Sequence, residues 1–450
     1  MHSDKEKFGV LLPIILISYF MILLDNSIVF TSTVKIAQDL SLNGQTLAWV
    51  TNAYALTFGS LLLLGGRLGD LIGRKQIFLI GISIFSIGSL LVGASQNAGM
   101  IIGMRALQGI GAAVLAPTTL ALIMDNYQGT MRTRAIAYYG ATAGLGASVG
   151  LVIGGLIASY FSWRLGFLLN VPVGLVLAIM GARYIKNQSK SRASLDWAGT
   201  FFSVVGLVAL VYGINGAKRP IMMFLLAIIS LGLFGWREDH TNDPLMPLVL
   251  FKNTERFTAY VARFFYAGAV LSYFFLTPQA MQRSLGFTPL LAAIGFLPET
   301  VPQFVSATAV ARLTERFGNT RVLMAGVVTT LIGFILGGVI GVQRGYLLGV
   351  ALPMLFIGVG QGLALGPLTS AGVAQADVKM AGSASGVVNT VHQIGSSVGL
   401  STIVVFAARW HSPAQYFNVS EWAMVGLTTL TLIAVLIMAT KMKATSKKSN

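Results

Sequence analysis

Apolar stretches of about 20 residues, the length a helix needs to cross the hydrocarbon core of a bilayer, recur along the whole chain and constrain its fold most strongly. The first stretch, residues 8–31, contains a single charged residue, Asp25. Hydrophobic residues make up 55% of the 450 residues and charged residues only 10%, a balance that excludes a water-soluble globular protein. The sequence therefore predicts an all-α, multi-pass integral membrane protein.

Fourteen membrane-spanning helices are predicted from the hydropathy pattern. Six of them precede residue 184 and six follow residue 256, which leaves a pair in the middle. The predicted spans are residues 9–31, 46–65, 77–95, 98–124, 135–160, 165–182, 197–215, 220–236, 257–278, 289–310, 321–341, 345–368, 382–408 and 421–440.

The chain also contains an internal repeat, because residues 66–81 align without gaps with residues 311–326. In transporters, such a duplication places the substrate site between the two halves, near the middle of the membrane. The expected organisation is a six-helix bundle in 1–184, a connector with two inserted helices in 185–250, and a second six-helix bundle with a basic cytoplasmic tail in 251–450.

The basic residues that give the net charge of +16 are distributed unequally between the loops on the two sides of the membrane. If the N-terminus is cytoplasmic, 22 of the 31 Lys and Arg residues fall in cytoplasmic segments and 7 in the opposite loops. This is the positive-inside pattern, so both termini are expected in the cytoplasm and no nucleic-acid partner is expected. The chain has no cysteine and no phosphate-binding G-x-x-x-x-G-K-[ST] loop. We therefore expect no bound metal, no cofactor and no ATP hydrolysis by this chain. Any energy for transport is expected to come from a gradient.

The segment GRLGDLIGRK at 66–75 resembles the loop signature of the major facilitator superfamily, which lies between the second and third helices. Its glycines permit a tight turn, and Asp70 can pair with an arginine in one conformation and release it in another. The loop is therefore predicted to act as a conformational latch. Its residues are Gly66, Asp70, Gly73, Arg74 and Lys75.

Further segments resemble the fourteen-helix drug:proton antiporters of this superfamily. They are the residues around Arg105 in MRALQGIGAA, the segment WRLGFLLNVPVG at 163–174, and LLDNSIV around Asp25. The motif of helix five in that branch is present without its proline, and its spacing still permits close helix packing. Its residues are Gly146, Gly150, Gly154 and Gly155.

The resemblance implies a major facilitator fold of two six-helix bundles plus two inserted helices. It also implies a proton-coupled multidrug efflux antiporter in a bacterial cytoplasmic membrane. Such a carrier would export amphipathic cationic or zwitterionic compounds, antibiotics among them, by alternating access. We expect it to work as a monomer surrounded by lipid.

Ionisable side chains inside predicted spans mark the candidate site, because a charge in the membrane is costly. Asp25 and Glu299 are expected to exchange protons for a cationic substrate, since burial favours a neutral acid and a bound cation favours a carboxylate. Arg105 and His392 belong to the same candidate set. A purely structural Asp25–Arg105 pair remains an open alternative, and Arg263 is expected to extend to the cytoplasmic surface.

Aromatic side chains are candidates for a pocket that holds flat cations. The candidates are Tyr19, Phe30, Tyr54, Phe265, Tyr266 and Tyr273. Two other functions stay open: a facilitator-type exporter of one metabolite, lipid or tetracycline-like compound, and a channel or sensor that does not pump. An enzyme is not expected, because no nucleophile, metal cluster or nucleotide loop occurs at suitable spacing.

Overall fold

A computed structural model describes residues 8–187, 195–241, 243–377 and 380–449. In these ranges the chain forms helices joined by short connections, with no strand. Parts of the predicted N-terminal segment, central connector and basic tail lie outside this description. Side chains are not described at residues 143–145, 147, 381 and 442–449.

The N-terminal half begins with five long helices and ends with a broken one. Their bounds are α1 Leu11–Asp39, α2 Gly44–Ile72, α3 Arg74–Gly93, α4 Ala98–Asn126, α5 Gly129–Tyr160, α6 Trp163–Leu168 and α7 Asn170–Tyr184. Two further helices, α8 Trp197–Ile214 and α9 Pro220–His240, pack against each other between the halves.

The C-terminal half repeats the plan of long helices with one broken span. Its helices are α10 Thr254–Ser284, α11 Pro289–Ile294, α12 Leu297–Phe317, α13 Asn319–Ile340, α14 Leu352–Gly372, α15 Ala381–Ala407 and α16 Pro413–Ser449. A 3₁₀ turn, Val342–Arg344, follows α13, and a π-helical turn, Leu347–Ala351, leads into α14.

Within the described residues, 13 helices are long and apolar enough to cross a membrane, and they coincide with 13 of the predicted spans. The remaining predicted span, 135–160, coincides with α5, whose described apolar part is Ser148–Tyr160. The all-helical prediction is confirmed. The domain boundaries proposed from the sequence stay predictions.

Local sequence explains where several helices begin and end. Asn43 caps α2, because its Oδ1 accepts a hydrogen bond from the Thr46 backbone N–H at 2.8 Å. The two copies of the sequence repeat also turn in the same way. Gly73 and Gly318 take φ values of 104° and 84°, which side chains disfavour, and each joins two consecutive helices.

Consecutive long helices run in opposite directions, which gives the bundle two ends. The far end carries residues 40–43, 94–97, 161–162, 285–288, 341–346 and 408–412. The opposite end, which carries residue 8 and residue 441, is called the terminal end.

The two halves meet at the far end. There the Gln282 amide donates to the Thr31 carbonyl at 3.2 Å, and the Leu290 backbone N–H donates to Ser159 Oγ at 2.8 Å. These bonds join α10 to α1 and α11 to α5. Helices α2 and α15 also pack across the halves, with a hydrogen bond from Asn52 to Ser401. The described conformation is therefore closed at the far end.

Candidate functional site

Asp25 lies at the centre of a buried polar cluster that joins α1, α3, α4 and α7. Its Oδ2 accepts a hydrogen bond from Arg105 Nη1 at 2.5 Å. Its Oδ1 accepts from Gln108 Nε2 at 3.0 Å and from Asn170 Nδ2 at 2.8 Å. Both amides also contact Ser89 Oγ. These five residues are called the Asp25 cluster.

Arg105 is held in place from several sides. Its Nε donates to the Val50 carbonyl at 3.1 Å, and its guanidinium carbon lies 4.3 Å from the centre of the Tyr54 ring. Asp25 and Arg105 are both 0% exposed, so the ion pair is shielded from water. Loss of one partner from such a pair leaves an uncompensated buried charge. The structural pair that the sequence left open is thus present in this conformation.

Three members of the Asp25 cluster were not among the predicted site residues; Gln108 lies in the segment MRALQGIGAA that resembles the antiporter branch. Asn170 lies in the segment 163–174 that resembles the antiporter branch, so a signal was available. Nothing in the sequence distinguished Ser89 from other serines in apolar spans. Both assignments need the rotation of α3 and α7 about their axes, and hydropathy does not provide it.

Glu299 occupies a break in its membrane span. Helix α11 ends at Ile294, and α12 begins at Leu297 with Glu299 in its first turn. Pro298, which has no backbone N–H, favours this new helix start. The positive end of the α12 dipole therefore lies near the Glu299 carboxylate. Broken helices of this kind form binding sites in transporters.

The Glu299 carboxylate is buried without a partner. The side chain is 0% exposed, and neither oxygen has a hydrogen bond among the described residues. Tyr273 lies near the start of α12, since its ring centre is 5.9 Å from that of Phe296, three residues before Glu299. Helix α14 packs directly behind it, because a Cβ atom added at Gly358 would lie 2.1 Å from the Glu299 carbonyl oxygen. A proton bound to Glu299 or a cation beside it would compensate this buried carboxylate.

His392 and Arg263 form a separate basic group in the C-terminal half. His392 Nδ1 has no partner among the described residues, and α15 packs closely on α10 there, because a Cβ atom added at Gly395 would lie 2.2 Å from the carbonyl oxygen of Phe264, the residue after Arg263. Arg263 is only 9% exposed and donates to the Leu365 carbonyl at 3.3 Å and to Thr369 Oγ1 at 3.4 Å. It binds α14, so the expected extension to the surface is wrong.

The candidate acids lie in different halves of the molecule. Among the described contacts, none joins Asp25 or Arg105 to Glu299 or His392. The structure thus shows an ion-paired acid in one half and an unpaired acid in the other.

The predicted latch loop forms an ion-paired turn at the terminal end. Arg74 pairs with Asp70, and its Nε lies 3.3 Å from Asp125 Oδ2 on α4. Arg67 donates to the carbonyl of Asp243 at 2.7 Å and to that of Pro244. The loop is therefore tied both to the bundle and to the segment after α9. Gly66 lies at the end of α2, Gly73 forms the turn, and Lys75 lies in the first turn of α3.

The glycines of the helix-five motif allow α5 to approach both halves. Added Cβ atoms at Gly146, Gly150 and Gly154 would lie 2.7–2.8 Å from atoms of α1. A Cβ atom added at Gly155 would lie 2.7 Å from Ala293 Cβ on α11. The packing expected from the spacing is present. Helix α5 contacts α1 beside Asp25 and α11 shortly before Glu299.

The six candidate aromatics lie in several environments. Tyr54 lies against Arg105, the Tyr266 hydroxyl oxygen is 2.8 Å from Thr330 Oγ1, and the Tyr273 ring centre is 5.9 Å from that of Phe296. The others make ring contacts: Tyr19 with Tyr139, Phe30 with Phe274, and Phe265 with Phe264. None of the six lines the cavity of about 410 Å³ at the far end, whose walls include Gln279, Arg283, Trp410 and Tyr416.

A model of the Major Facilitator Superfamily matches residues 15–400, most of the chain. The chain belongs to this superfamily. It is a membrane transporter, as the resemblance implied.

Named relatives support the family assignment. The chain is 31% identical over 440 residues to the cephamycin export protein CmcT of Amycolatopsis lactamdurans, covering 93% of this chain and 90% of the relative. It is 29% identical over 402 residues to the multidrug resistance protein Stp of Mycobacterium tuberculosis strain ATCC 25618 / H37Rv, covering 87% and 74%.

A solved structure confirms the fold. A bacterial homologue of the human lysosomal transporter Spinster matches with a TM-score of 0.69 at 14% identity, covering 96% of each chain. The predicted major facilitator fold is thus confirmed.

Proposed function

We propose that this chain exports amphipathic cationic or zwitterionic drug-like compounds across a bacterial cytoplasmic membrane in exchange for protons. The observation that carries the proposal is the unpaired, fully buried carboxylate of Glu299 at the break between α11 and α12. The relatives named for cephamycin export and for multidrug resistance support drug-like substrates. The chain works as a monomer without a cofactor.

The environment of Glu299 couples proton binding to the binding of a cationic substrate. A carboxylate buried without a partner is costly, so the empty site favours the neutral, protonated acid. A bound organic cation stabilises the carboxylate instead. Proton and cation therefore exclude each other at one group, and each leaves when the other binds. Each elementary charge that crosses the membrane contributes about 2.3 kcal/mol per 100 mV.

The Asp25 cluster links protonation to helix packing. A proton on Asp25 would remove the charge that compensates Arg105 within a shielded site. Arg105 must then find another partner or move, and it lies on a helix that packs against α1, α2 and α3. With both termini in the cytoplasm, the far end is the outer face. The described conformation is then closed to the outside.

Transport of a cationic dye in proteoliposomes tests the proposal. We expect the parent to accumulate the dye when a pH gradient is imposed, and Glu299→Gln to lose accumulation while it inserts normally. Asp239→Asn is the matched control, because it removes the same charge from a side chain that is 69% exposed on α9. Parental pumping by Glu299→Gln would show that this carboxylate does not couple transport.

A facilitator-type exporter of one compound is the second candidate, favoured by the relative named as a cephamycin export protein. The basic pair Arg263 and His392 supports it, because Arg263 Nε and His392 Nδ1 have no partner among the described residues and suit an anionic group. Export of an anionic compound that persists without any pH gradient would favour this function over the first.

A further inference from the structure

The two halves repeat their helix packing as well as their sequence. The repeat spacing of 245 residues relates Gly81 on α3 to Gly326 on α13. A Cβ atom added at Gly81 would lie 3.2 Å from the Leu115 backbone nitrogen on α4, and one added at Gly326 would lie 2.8 Å from the Ala364 backbone nitrogen on α14. Leu115 and Ala364 are 249 residues apart, so this spacing relates α4 to α14.

The same two spacings relate Tyr54 to Glu299. A Cβ atom added at Gly109 on α4 would lie 2.5 Å from the Tyr54 carbonyl oxygen on α2, and one added at Gly358 on α14 would lie 2.1 Å from the Glu299 carbonyl oxygen on α12. Gly358 follows Gly109 by 249 residues, and Glu299 follows Tyr54 by 245 residues. Glu299 therefore has the position in the C-terminal half that Tyr54 has in the N-terminal half.

The repeat also relates Arg105 to an apolar residue, Met354. Each of these two residues lies four positions before the glycine of the contact just described. The Arg105 guanidinium carbon lies 4.3 Å from the centre of the Tyr54 ring, so the equivalent place in the C-terminal half lies beside the Glu299 side chain. Met354 is 0% exposed. A thioether side chain thus replaces the guanidinium group at this position.

The donor next to Arg105 is replaced as well. A Cβ atom added at Gly88 would lie 3.0 Å from the Gln108 backbone nitrogen, and one added at Gly333 would lie 2.9 Å from the Ile357 backbone nitrogen. Gln108 therefore corresponds to Ile357, which is 0% exposed and belongs with Met354 to one apolar cluster. At both positions the C-terminal half lacks the donor that the Asp25 cluster contains.

This difference between the halves leaves one acid available for exchange. In the N-terminal half, Arg105 compensates a buried carboxylate permanently. Met354 carries no charge, and methionine is unbranched with three rotatable bonds, so its side chain can fill a place or turn aside from it. An amphipathic cation has a positive group for Glu299 and an apolar body that suits Met354 and Ile357.

We propose that the position of Met354 is the subsite for the positive group of the substrate. The cation lies beside Glu299 at the place that the Arg105 guanidinium takes in the N-terminal half. The substrate thus supplies the positive charge that the repeat has lost, and Met354 turns aside when it binds. The subsite rests on the proposed antiport function and names the residue that keeps Glu299 free to alternate between a proton and a cation.

An arginine introduced at this position tests the subsite. We expect Met354→Arg to slow pH-driven accumulation of the cationic dye at least about tenfold, because a tethered cation has a millimolar effective concentration beside Glu299. Met222→Arg is the matched control. It makes the same change at a methionine that is 49% exposed in the first turn of α9, and accumulation should stay within about twofold of the parent.

A chemical label separates the added charge from the added bulk. The chain has no cysteine, so Met354→Cys carries the only thiol. Aminoethyl methanethiosulfonate attaches a group that ends in an ammonium, and propyl methanethiosulfonate attaches a neutral group of similar size. We expect accumulation to be at least about tenfold slower after the charged label than after the neutral one, and the dye to protect the thiol from both reagents.

The outcomes separate the subsite from the function on which it rests. If Glu299→Gln pumps at the parental rate, the antiport function is wrong and the subsite with it. If Glu299→Gln fails to pump while Met354→Arg pumps at the parental rate, only the subsite is wrong. If Met354→Arg does not insert, the labelled Met354→Cys decides. Equal rates after the two labels, or a thiol that never reacts, would overturn the subsite.

Discussion

Replacing Asp25 with asparagine tests whether this acid is charged in the described conformation. Three donors, from Arg105, Gln108 and Asn170, point at its two oxygens. The NH₂ group of the new side-chain amide would face at least one of these three donors, and Arg105 would lose its counter-charge. Removal of one partner from a buried ion pair costs about 3–5 kcal/mol, so we expect Asp25→Asn to lower the free energy of unfolding by that amount.

A neutral Asp25 would give a different result. Asparagine and a protonated carboxyl group have similar shape and no charge, and the cost would then be about 1 kcal/mol, the value of one neutral hydrogen bond. Unfolding in mixed detergent–dodecyl sulfate micelles, followed by circular dichroism, measures the difference. Thr33→Val is the control on α1, because Thr33 is buried and its hydroxyl bonds only the Phe30 carbonyl.

A double variant completes this test. In Asp25→Asn combined with Arg105→Gln, the uncompensated charge is gone, so about 2 kcal/mol of the single-variant loss should be recovered. If the two losses simply add, the side chains are not energetically coupled. The attraction between the two charges would then add nothing to the free energy of unfolding beyond the contribution of the other hydrogen bonds of each side chain.

Two further predictions follow from close contacts. Gly358→Ala should destabilise the protein by about 2 kcal/mol in the same unfolding assay, because the new methyl group meets backbone on α12, whereas Gly103→Ala, with open space around it, should not. Because the chain has no cysteine, Ser159→Cys with Leu290→Cys introduces the only thiol pair, and its oxidation should stop transport until reductant is added. Undiminished transport by the oxidised pair would show that the far end need not open there.

Hydropathy predicted where the spans lie, because membrane length and apolar content are properties of local sequence. The repeat likewise predicted equivalent turns, and Gly73 and Gly318 both have positive φ. The break before Glu299 has a local signal in the sequence, because Pro298 and Pro302 lack the backbone N–H that a continuous helix would use. What remained hidden was the rotation of each helix, which decides the partners of Asp25.

Boundaries explain the other misses. The last span was predicted to begin at 421, whereas α16 begins at Pro413, so Glu421 lies well inside the helix and is 1% exposed. In the structure the polar side chains of Asn418 and Ser420 have hydrogen-bond partners within the protein. Asn418 bonds to the 3₁₀ turn, and Ser420 bonds to a carbonyl of its own helix. Arg263 was misassigned for a related reason, because sequence position alone did not reveal the acceptors on α14.

Helix α5 provides the physical link between the two acid sites. Gly150 lies against Ser27, two residues after Asp25, and Gly155 lies against α11, which ends just before the break at Glu299. Where two helices touch at a glycine, no side chain lies between them to absorb a small shift. A displacement of one helix is therefore passed on to the other. Separation of α5 from α11 at the far end therefore acts on the same helix that packs α1 beside the Asp25 cluster. We expect opening of that end and rearrangement of the buried ion pair to be coupled mechanically through α5, whose glycines contact α1 on one side and α11 on another.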